Sequence, residues 1–368
     1  MKILIISRTF YPAQYPRSLR TTELAFEFAR RGHEVTVYAH LGDFNYNEIE
    51  LEKGVKVKDI KTFFPMMNSD GKKTGRFNNS ILDKIFSKFF QFINYPDIEL
   101  MFKIPSIIKK EKKQDLLISI AIPHSIHWGC SWSKKKYRKK FPKKWIADCG
   151  DPFMENPFQK RPFYFKYLEK WFCNDTDYIT VPIEEAKKAY FKEYRHKIEV
   201  IPQGFNFNHL KLYNGIITNK VPTFSYSGVF YKNIRDPRPF LDYLCTREDN
   251  FKFIIYTKNH QIIEPYLSKL GDKLECYDYI RREELIYKLS TMDFLVNFEN
   301  NEDNNVQIPS KLIDYAYTKR PILSIGDNFE KSTVNDFFKG DYSKRLIVDV
   351  TPYCIENVVD KFLNLIKC

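Results

Sequence analysis

The sequence predicts an α/β protein of two domains, each a parallel sheet flanked by helices. Three observations carry that expectation. Short apolar runs alternate with helix-patterned segments along the whole chain, as strand–helix–strand units require. The length of 368 residues suits about two domains. The alternation lapses once, over residues 204–221, where Asn, Gly and Thr collect, so this stretch is expected to link domains at 1–205 and 206–352. A closing amphipathic segment in 353–368 is expected to cross back onto the first domain.

The first strand is expected at 2–7, running into a loop rich in Tyr, Pro and Arg and then a helix at 18–31. Gly32-His33-Glu34 returns the chain to a strand at 35–39, and apolar runs place further strands at 55–60, 115–120, 143–148, 178–181 and 198–201. Between them, helical spacing of apolar residues falls at 81–112, 125–137, 163–174 and 183–194. In the second half, strands are expected at 224–227, 251–256, 274–277, 294–298, 321–324 and 346–348. Helices are expected there at 239–245, 264–270, 282–290 and 310–317, with the last at 353–367.

Composition excludes several classes. No run of about 18 apolar residues appears, so a membrane-spanning helix is not expected. The chain opens on a strand, without the pattern of a signal peptide. Seven scattered cysteines, without paired metal-type spacing, argue against a disulfide framework and structural zinc and for a reducing, cytoplasmic setting. The net charge of +13 is concentrated in Lys109–Lys113 and Lys134–Lys144. Such clusters form either a solvated face or an attachment to anionic lipid, at roughly 1 kcal/mol per residue. The aromatic, lysine-bearing stretch 81–102 reads either as a core helix or as an interfacial one. No nucleic-acid-binding motif accompanies the charge, so no nucleic-acid partner is expected.

Five segments carry candidate chemistry. After the strand at 224–227, Gly228 makes a turn where backbone N–H groups can approach a phosphate, and Lys232 or Arg235 follows to pair with it. Pro309-Ser310-Lys311 opens a helix, whose positive N-terminus and lysine favour an anion, and Asp314 lies one turn on. At the end of the strand 115–120 stands His124, with His127 a weaker candidate, and at the end of the next strand stands Asp151. Arg17 and Arg20 sit at the first strand–helix junction. Each has an ordinary reading too: a surface arginine, a helix cap, a structural histidine, a turn aspartate.

Taken together, these residues resemble the retaining family 4 glycosyltransferases of the GT-B fold, in their polysaccharide and capsule branch. Gly32-His33-Glu34-Val35 is similar to the family's opening, and Asp177–Val181 with Ile201-Pro202-Gln203-Gly204-Phe205 to the signature closing its first domain. Pro309-Ser310-Lys311-Leu312-Ile313-Asp314-Tyr315 resembles its donor helix, and Asp148-Cys149-Gly150-Asp151-Pro152 its Asp-x-Arg-Asp-Pro stretch, with Gly150 in place of the arginine.

The resemblance implies two Rossmann-like domains whose parallel sheets face across a cleft, closing about 204–221. It implies sugar transfer from a UDP- or GDP-linked donor to a glycan or polyprenyl-linked acceptor, without metal or cofactor. Arg235 and Lys311 would steady the leaving diphosphate and Asp314 the ribose, with Gly228, Lys232, Gln307 and Ser310 around the donor. His124 and Asp151 would align the acceptor hydroxyl, and Arg17 and Arg20 would hold acceptor phosphate or donor diphosphate. Many members carry two glutamates on the donor segment; here Asp314 stands at the second and Val306 at the first, leaving the sugar to 304–307, Glu302 or Gln307. The implied setting is surface-polysaccharide assembly at the inner membrane face. The alternatives are a nucleotide-sugar 2-epimerase of the same fold or a non-catalytic nucleotide-sugar-binding partner.

Overall fold

A computed structural model describes residues 1–13, 15–62, 92–111, 113–156, 160–231, 235–299 and 310–367. The chain divides into two compact units, one of Met1–Asn206 with Tyr353–Cys368 and one of Phe207–Pro352.

The first unit is a seven-stranded, all-parallel sheet. Its strands are β1 (Lys2–Ile6), β2 (Glu34–Ala39), β3 (Val55–Asp59), β4 (Leu116–Ala121), β5 (Lys144–Cys149), β6 (Tyr178–Val181) and β7 (Ile198–Val200), in the order β3-β2-β1-β4-β5-β6-β7. Helices α1 (Pro16–Arg30), α2 (Asn47–Lys53), α3 (Ile98–Lys110), α4 (Ser125–Lys136) and α5 (Phe165–Asp175) connect them. Every residue of β4 is buried, because helices cover both faces of a parallel sheet. Alternation in β1 divides the core: Ile3 and Ile5 join the cluster around Phe28, while Leu4 and Ile6 join the one around Trp128, Trp145 and Phe172.

The second unit is a five-stranded parallel sheet of β8 (Thr223–Ser227), β9 (Lys252–Tyr256), β10 (Leu274–Tyr277), β11 (Phe294–Phe298) and β12 (Ile322–Ile325), in the order β10-β9-β8-β11-β12. Its helices are α6 (Arg238–Cys245), α7 (His260–Leu270), α8 (Arg282–Leu289), α9 (Ser310–Tyr317) and α10 (Lys331–Phe338). The final helix, α11 (Ile355–Lys367), belongs to the first unit. Its Val358, Val359 and Phe362 pack into the Phe28 cluster, and Phe205 bonds the backbone of Tyr353 and Ile355. In each sheet the strand order reverses once, between β1 and β4 and between β8 and β11. Ligands of open α/β sheets lie beyond the strand ends at such reversals.

Several local expectations are corrected. Residues 183–194 form two 3₁₀ turns, Glu184–Ala189 and Lys192–Lys197, rather than one α-helix. The core takes in Tyr190, whose extended backbone breaks the run. Residues 346–348 form no strand: Leu346 donates one bond to Ile322, and Ile347 is 80% exposed. Helices α2 and α10 were not anticipated, since α2 buries no residue and α10 buries only Val334 and Phe337. Much of the expected 81–112 helix lies outside the described residues; its final part is α3.

Candidate functional site

In the second unit, the end of β8 is pinned to α9 by one residue. The Tyr315 hydroxyl accepts the Ser227 N–H at 2.6 Å and donates to the Ser227 carbonyl at 3.2 Å. Lys311, four residues earlier on α9, therefore lies on the same helix face. Its Nζ is buried, stands 4.6 Å from the centre of the Tyr226 ring, and has no hydrogen-bond partner among the described residues. Burial pushes the Lys311 amine well below its usual range, and the charge of Arg235 pushes it the same way. Arg235 also reaches the Val229 carbonyl at 3.4 Å, and the Tyr226 hydroxyl donates to the same oxygen at 3.1 Å. Two basic groups thus converge, and among the described residues the amine meets no anion, an arrangement that suits a phosphate.

Gly228 departs from its expected role. Its N–H donates to the Tyr256 carbonyl at 3.0 Å, so that amide continues the sheet instead of meeting a ligand. Its φ of 153° and missing Cβ serve proximity: a methyl here would lie 2.8 Å from the Tyr226 hydroxyl. Tyr231 and Arg235 pair as an antiparallel bridge, and α6 begins at Arg238. Asp314 accepts two donors of Arg282, the shorter at 2.6 Å, so its carboxylate is held rather than open. Ser310 begins α9. Lys232, Gln307, Glu302 and the segment 304–307 lie outside the described residues.

In the first unit, Arg17, His124 and Asp151 follow the ends of β1, β4 and β5, around the strand reversal. Arg20 is a correction. It is 2% exposed, binds Asp148 at 2.8 Å and 3.2 Å, and donates to the carbonyls of Ile201 and Pro202, so four of its five N–H donors are spent within the fold. Thr180 also donates to Asp148, at 2.7 Å. Burial alone would raise the Asp148 carboxyl, but Arg20, Arg17 and Thr180 hold it below the usual range.

His124 is likewise not at a surface: it is 3% exposed, its ring 4.9 Å from that of Phe153 and 6.2 Å from that of Phe172. Its Nε2 is buried and has no hydrogen-bond partner among the described residues. Burial first, then the charges of His127 and Arg161, drive it well below the usual histidine range, with the Asp151 backbone opposing weakly. His127 is held by Ser119 at 2.8 Å and by Cys149 at 3.4 Å, and burial takes it to about 3. Both rings are neutral packing groups at physiological pH. Arg17 differs from Arg20: no acceptor of its guanidinium is found among the described residues, although Asp148 and Asp151 act on its charge.

Sequence reasoning missed Tyr226, Arg282 and Glu169. Glu169 is fully buried, accepts the Met154 N–H at 3.2 Å, and is raised by burial to about 7. No sequence pattern marks these residues, and Tyr315, named only as the end of the donor-helix motif, is the residue that holds Ser227. Among the described residues, no group of three or more His, Cys, Asp or Glu is placed to hold a metal ion. No helix among them is long and apolar enough to cross a membrane.

A family model described as Glycosyltransferase Family 4 matches residues 19–209. No curated protein matches the chain. Among solved structures, the apo lipopolysaccharide outer core galactosyltransferase WaaB is similar over 100% of this chain and 99% of its own, with TM-score 0.58 and 12% identity. HepE of Anabaena, in complex with UDP, is similar over 100% of both chains (TM-score 0.59, 10% identity). The UDP-GlcNAc 2-epimerase of Neisseria meningitidis, bound to UDP-GlcNAc, is similar to the same extent (TM-score 0.58, 12% identity).

Proposed function

From the premise that this chain belongs to glycosyltransferase family 4 and has its GT-B fold, we propose that it moves a sugar with retention of configuration, from a nucleoside-diphosphate donor to a glycan or lipid-linked glycan. The observation that carries this reading is Lys311. A buried amine that has no hydrogen-bond partner among the described residues and lies near the charge of Arg235 is destabilised until an anion arrives. A departing diphosphate supplies that anion, and more charge gathers on it as the glycosidic bond breaks. Lys311 and Arg235 then act on the leaving group. Asp151 orients the acceptor hydroxyl, with the buried His124 ring beside its backbone as a positioning group. The reaction is a front-face substitution, needing no protein nucleophile and no metal.

The UDP in the HepE complex favours UDP as the nucleotide, and the lipopolysaccharide role of WaaB favours a surface-polysaccharide acceptor. A membrane contact is supported by a cavity of about 480 Å³ lined by Met101, Phe102, Trp132 and Trp171, with Lys135 and Lys136 at its edge. Phe102 is 57% exposed there, beside the Lys134–Lys136 run ending α4. Aromatic rings with a lysine rim suit the face of an anionic bilayer on the cytoplasmic side.

The test is a thermal-shift screen of the full chain against UDP, GDP, CDP, TDP and their sugar conjugates. A ligand at about 100 times its Kd adds roughly 2.7 kcal/mol of stability. A shift with one nucleotide family supports the reading and selects donors for a transfer assay, whereas a folded protein that responds to none sinks it. Likeness to the epimerase gives a second reading, 2-epimerisation. Product analysis with donor alone separates the two, since only the epimerase converts the sugar without an acceptor.

A further inference from the structure

Gly150 and Arg17 occupy one another's space. A methyl group on Gly150 would lie 2.1 Å from both Cζ and Nη1 of Arg17 and 2.5 Å from Nη2. The guanidinium therefore rests directly over the Gly150 backbone, and any side chain there would displace it. Gly150 has no left-handed backbone to explain the glycine; the requirement is room. The stretch Asp148–Pro152 lacks the arginine of the motif it resembles, and α1 brings a guanidinium to the same residue from across the strand ends.

What this guanidinium serves follows from its surroundings. Arg20, one turn along α1, is saturated by Asp148, Ile201 and Pro202. Arg17 has neither a hydrogen bond nor an ion pair from its guanidinium among the described residues. Three charged groups act on it: Asp148 and Arg20, which are committed to each other, and Asp151. It stands in the first turn of α1, where no acidic residue offsets the helix's positive end. Five N–H donors in a rigid fork, partly removed from water, are suited to a planar or tetrahedral oxyanion.

We propose that Arg17, seated on Gly150, binds a phosphate carried by the acceptor, so that Asp151 beside it meets a hydroxyl of the same molecule. This rests on the transferase reading above and narrows its acceptor to a phosphorylated one, whether a soluble sugar phosphate or a polyprenyl-linked one.

Inorganic phosphate titrated calorimetrically into the full chain at low salt is the first test, using wild type, Arg17→Ala, Gly150→Ala and the double variant. Each single substitution is expected to weaken binding at least about tenfold, and the double no further than Arg17→Ala alone, because both remove one interaction. A Lys311→Met control separates phosphate bound in the second unit. Unchanged affinity in Arg17→Ala, or additive losses in the double variant, would overturn the seat, as would no binding by wild type. If Gly150→Ala fails to fold, Arg17→Lys replaces it: the charge remains, the fork is lost, and binding is still expected to weaken.

In the transfer assay, the same sugar with and without phosphate is then compared. Arg17→Ala should raise KM for the phosphorylated acceptor several-fold more than for the phosphate-free one. A preference for the sugar 1-phosphate points to the soluble source, and one for the polyprenyl diphosphate sugar to the lipid source. Equal use of phosphorylated and unphosphorylated acceptors would overturn the proposal while transfer itself stands. No nucleotide binding at all would sink the transferase reading while the phosphate titration still decides the seat.

Discussion

Arg20 in the first unit and Lys311 in the second are both buried cations near the ends of parallel strands, and they are treated in opposite ways. Arg20 meets a carboxylate and two carbonyls; the Lys311 amine meets an aromatic face and, among the described residues, no acceptor. A buried charge with full partners holds a fold together, whereas one without them destabilises the free protein and is useful only when a ligand supplies what is missing. The same contrast recurs within α1, between Arg20 and Arg17, and with reversed sign at Glu169.

The largest expected effect breaks the satisfied member. Arg20→Ala leaves Asp148 buried with only the Thr180 hydroxyl and the Arg17 charge to offset it, which should cost about 3 kcal/mol. Urea unfolding would show it as a fall in midpoint, with or without nucleotide. A variant of near wild-type stability would show that the pair is not the strut its geometry indicates.

Next is Glu169, whose folded pKa of about 7 lies above the ordinary value of 4.5. Below pH 4.5 both states are protonated and the group contributes nothing. As pH rises from 4.5 to 7 the unfolded chain ionises first, so stability is lost, and the loss is complete above 7. Glu169→Gln should therefore raise stability at pH 8, by up to about 3 kcal/mol, and have no effect at pH 4. Thermal melts at the two pH values measure this, and a gain at pH 4 as large as that at pH 8 would refute it.

These buried groups mark where sequence reasoning stops. The parallel strands were legible because burial on both faces writes apolar runs such as Leu116–Ala121 directly into the chain. Helix α2 was not, because a helix that buries no residue leaves no apolar stripe. In the site, Lys311 was legible from its place at a helix start. That Gly228 donates to Tyr256, or that Arg282 holds Asp314, depends on pairings across 28 and 32 residues that no local pattern encodes. Gly150 was read as a missing arginine; only the fold shows that it makes room for one.

Lys311→Met keeps the packing on Tyr226 and removes the unpartnered amine, so the free protein should melt at the same temperature or higher. Transfer should fall at least about tenfold, equivalent to roughly 1.4 kcal/mol of transition-state stabilisation. Because burial holds the wild-type amine well below its usual range, an arriving diphosphate should raise it again. Nucleotide binding should then take up protons and weaken as pH rises. Calorimetry in buffers of different ionisation enthalpy would detect the uptake, and Lys311→Met should abolish it. Wild-type turnover in this variant would remove Lys311 from the reaction.

The smallest effect sharpens the contrast at Asp314, which lies between the two extremes: partnered by Arg282, but only half-buried. As a structural ion pair it is worth about 1 kcal/mol or less, since solvent screens it. As a ribose ligand it needs Arg282 to hold one side of the carboxylate while the other accepts hydroxyls. The two roles separate in Asp314→Asn, which preserves shape and gives up charge. A structural pair alone predicts a slightly lower melting temperature and unchanged nucleotide affinity. The ribose role predicts weaker binding of the nucleoside diphosphate but unchanged binding of its 2′,3′-dideoxy analogue, which offers no hydroxyls to accept. Equal weakening of both would show that Asp314 acts only by holding Arg282.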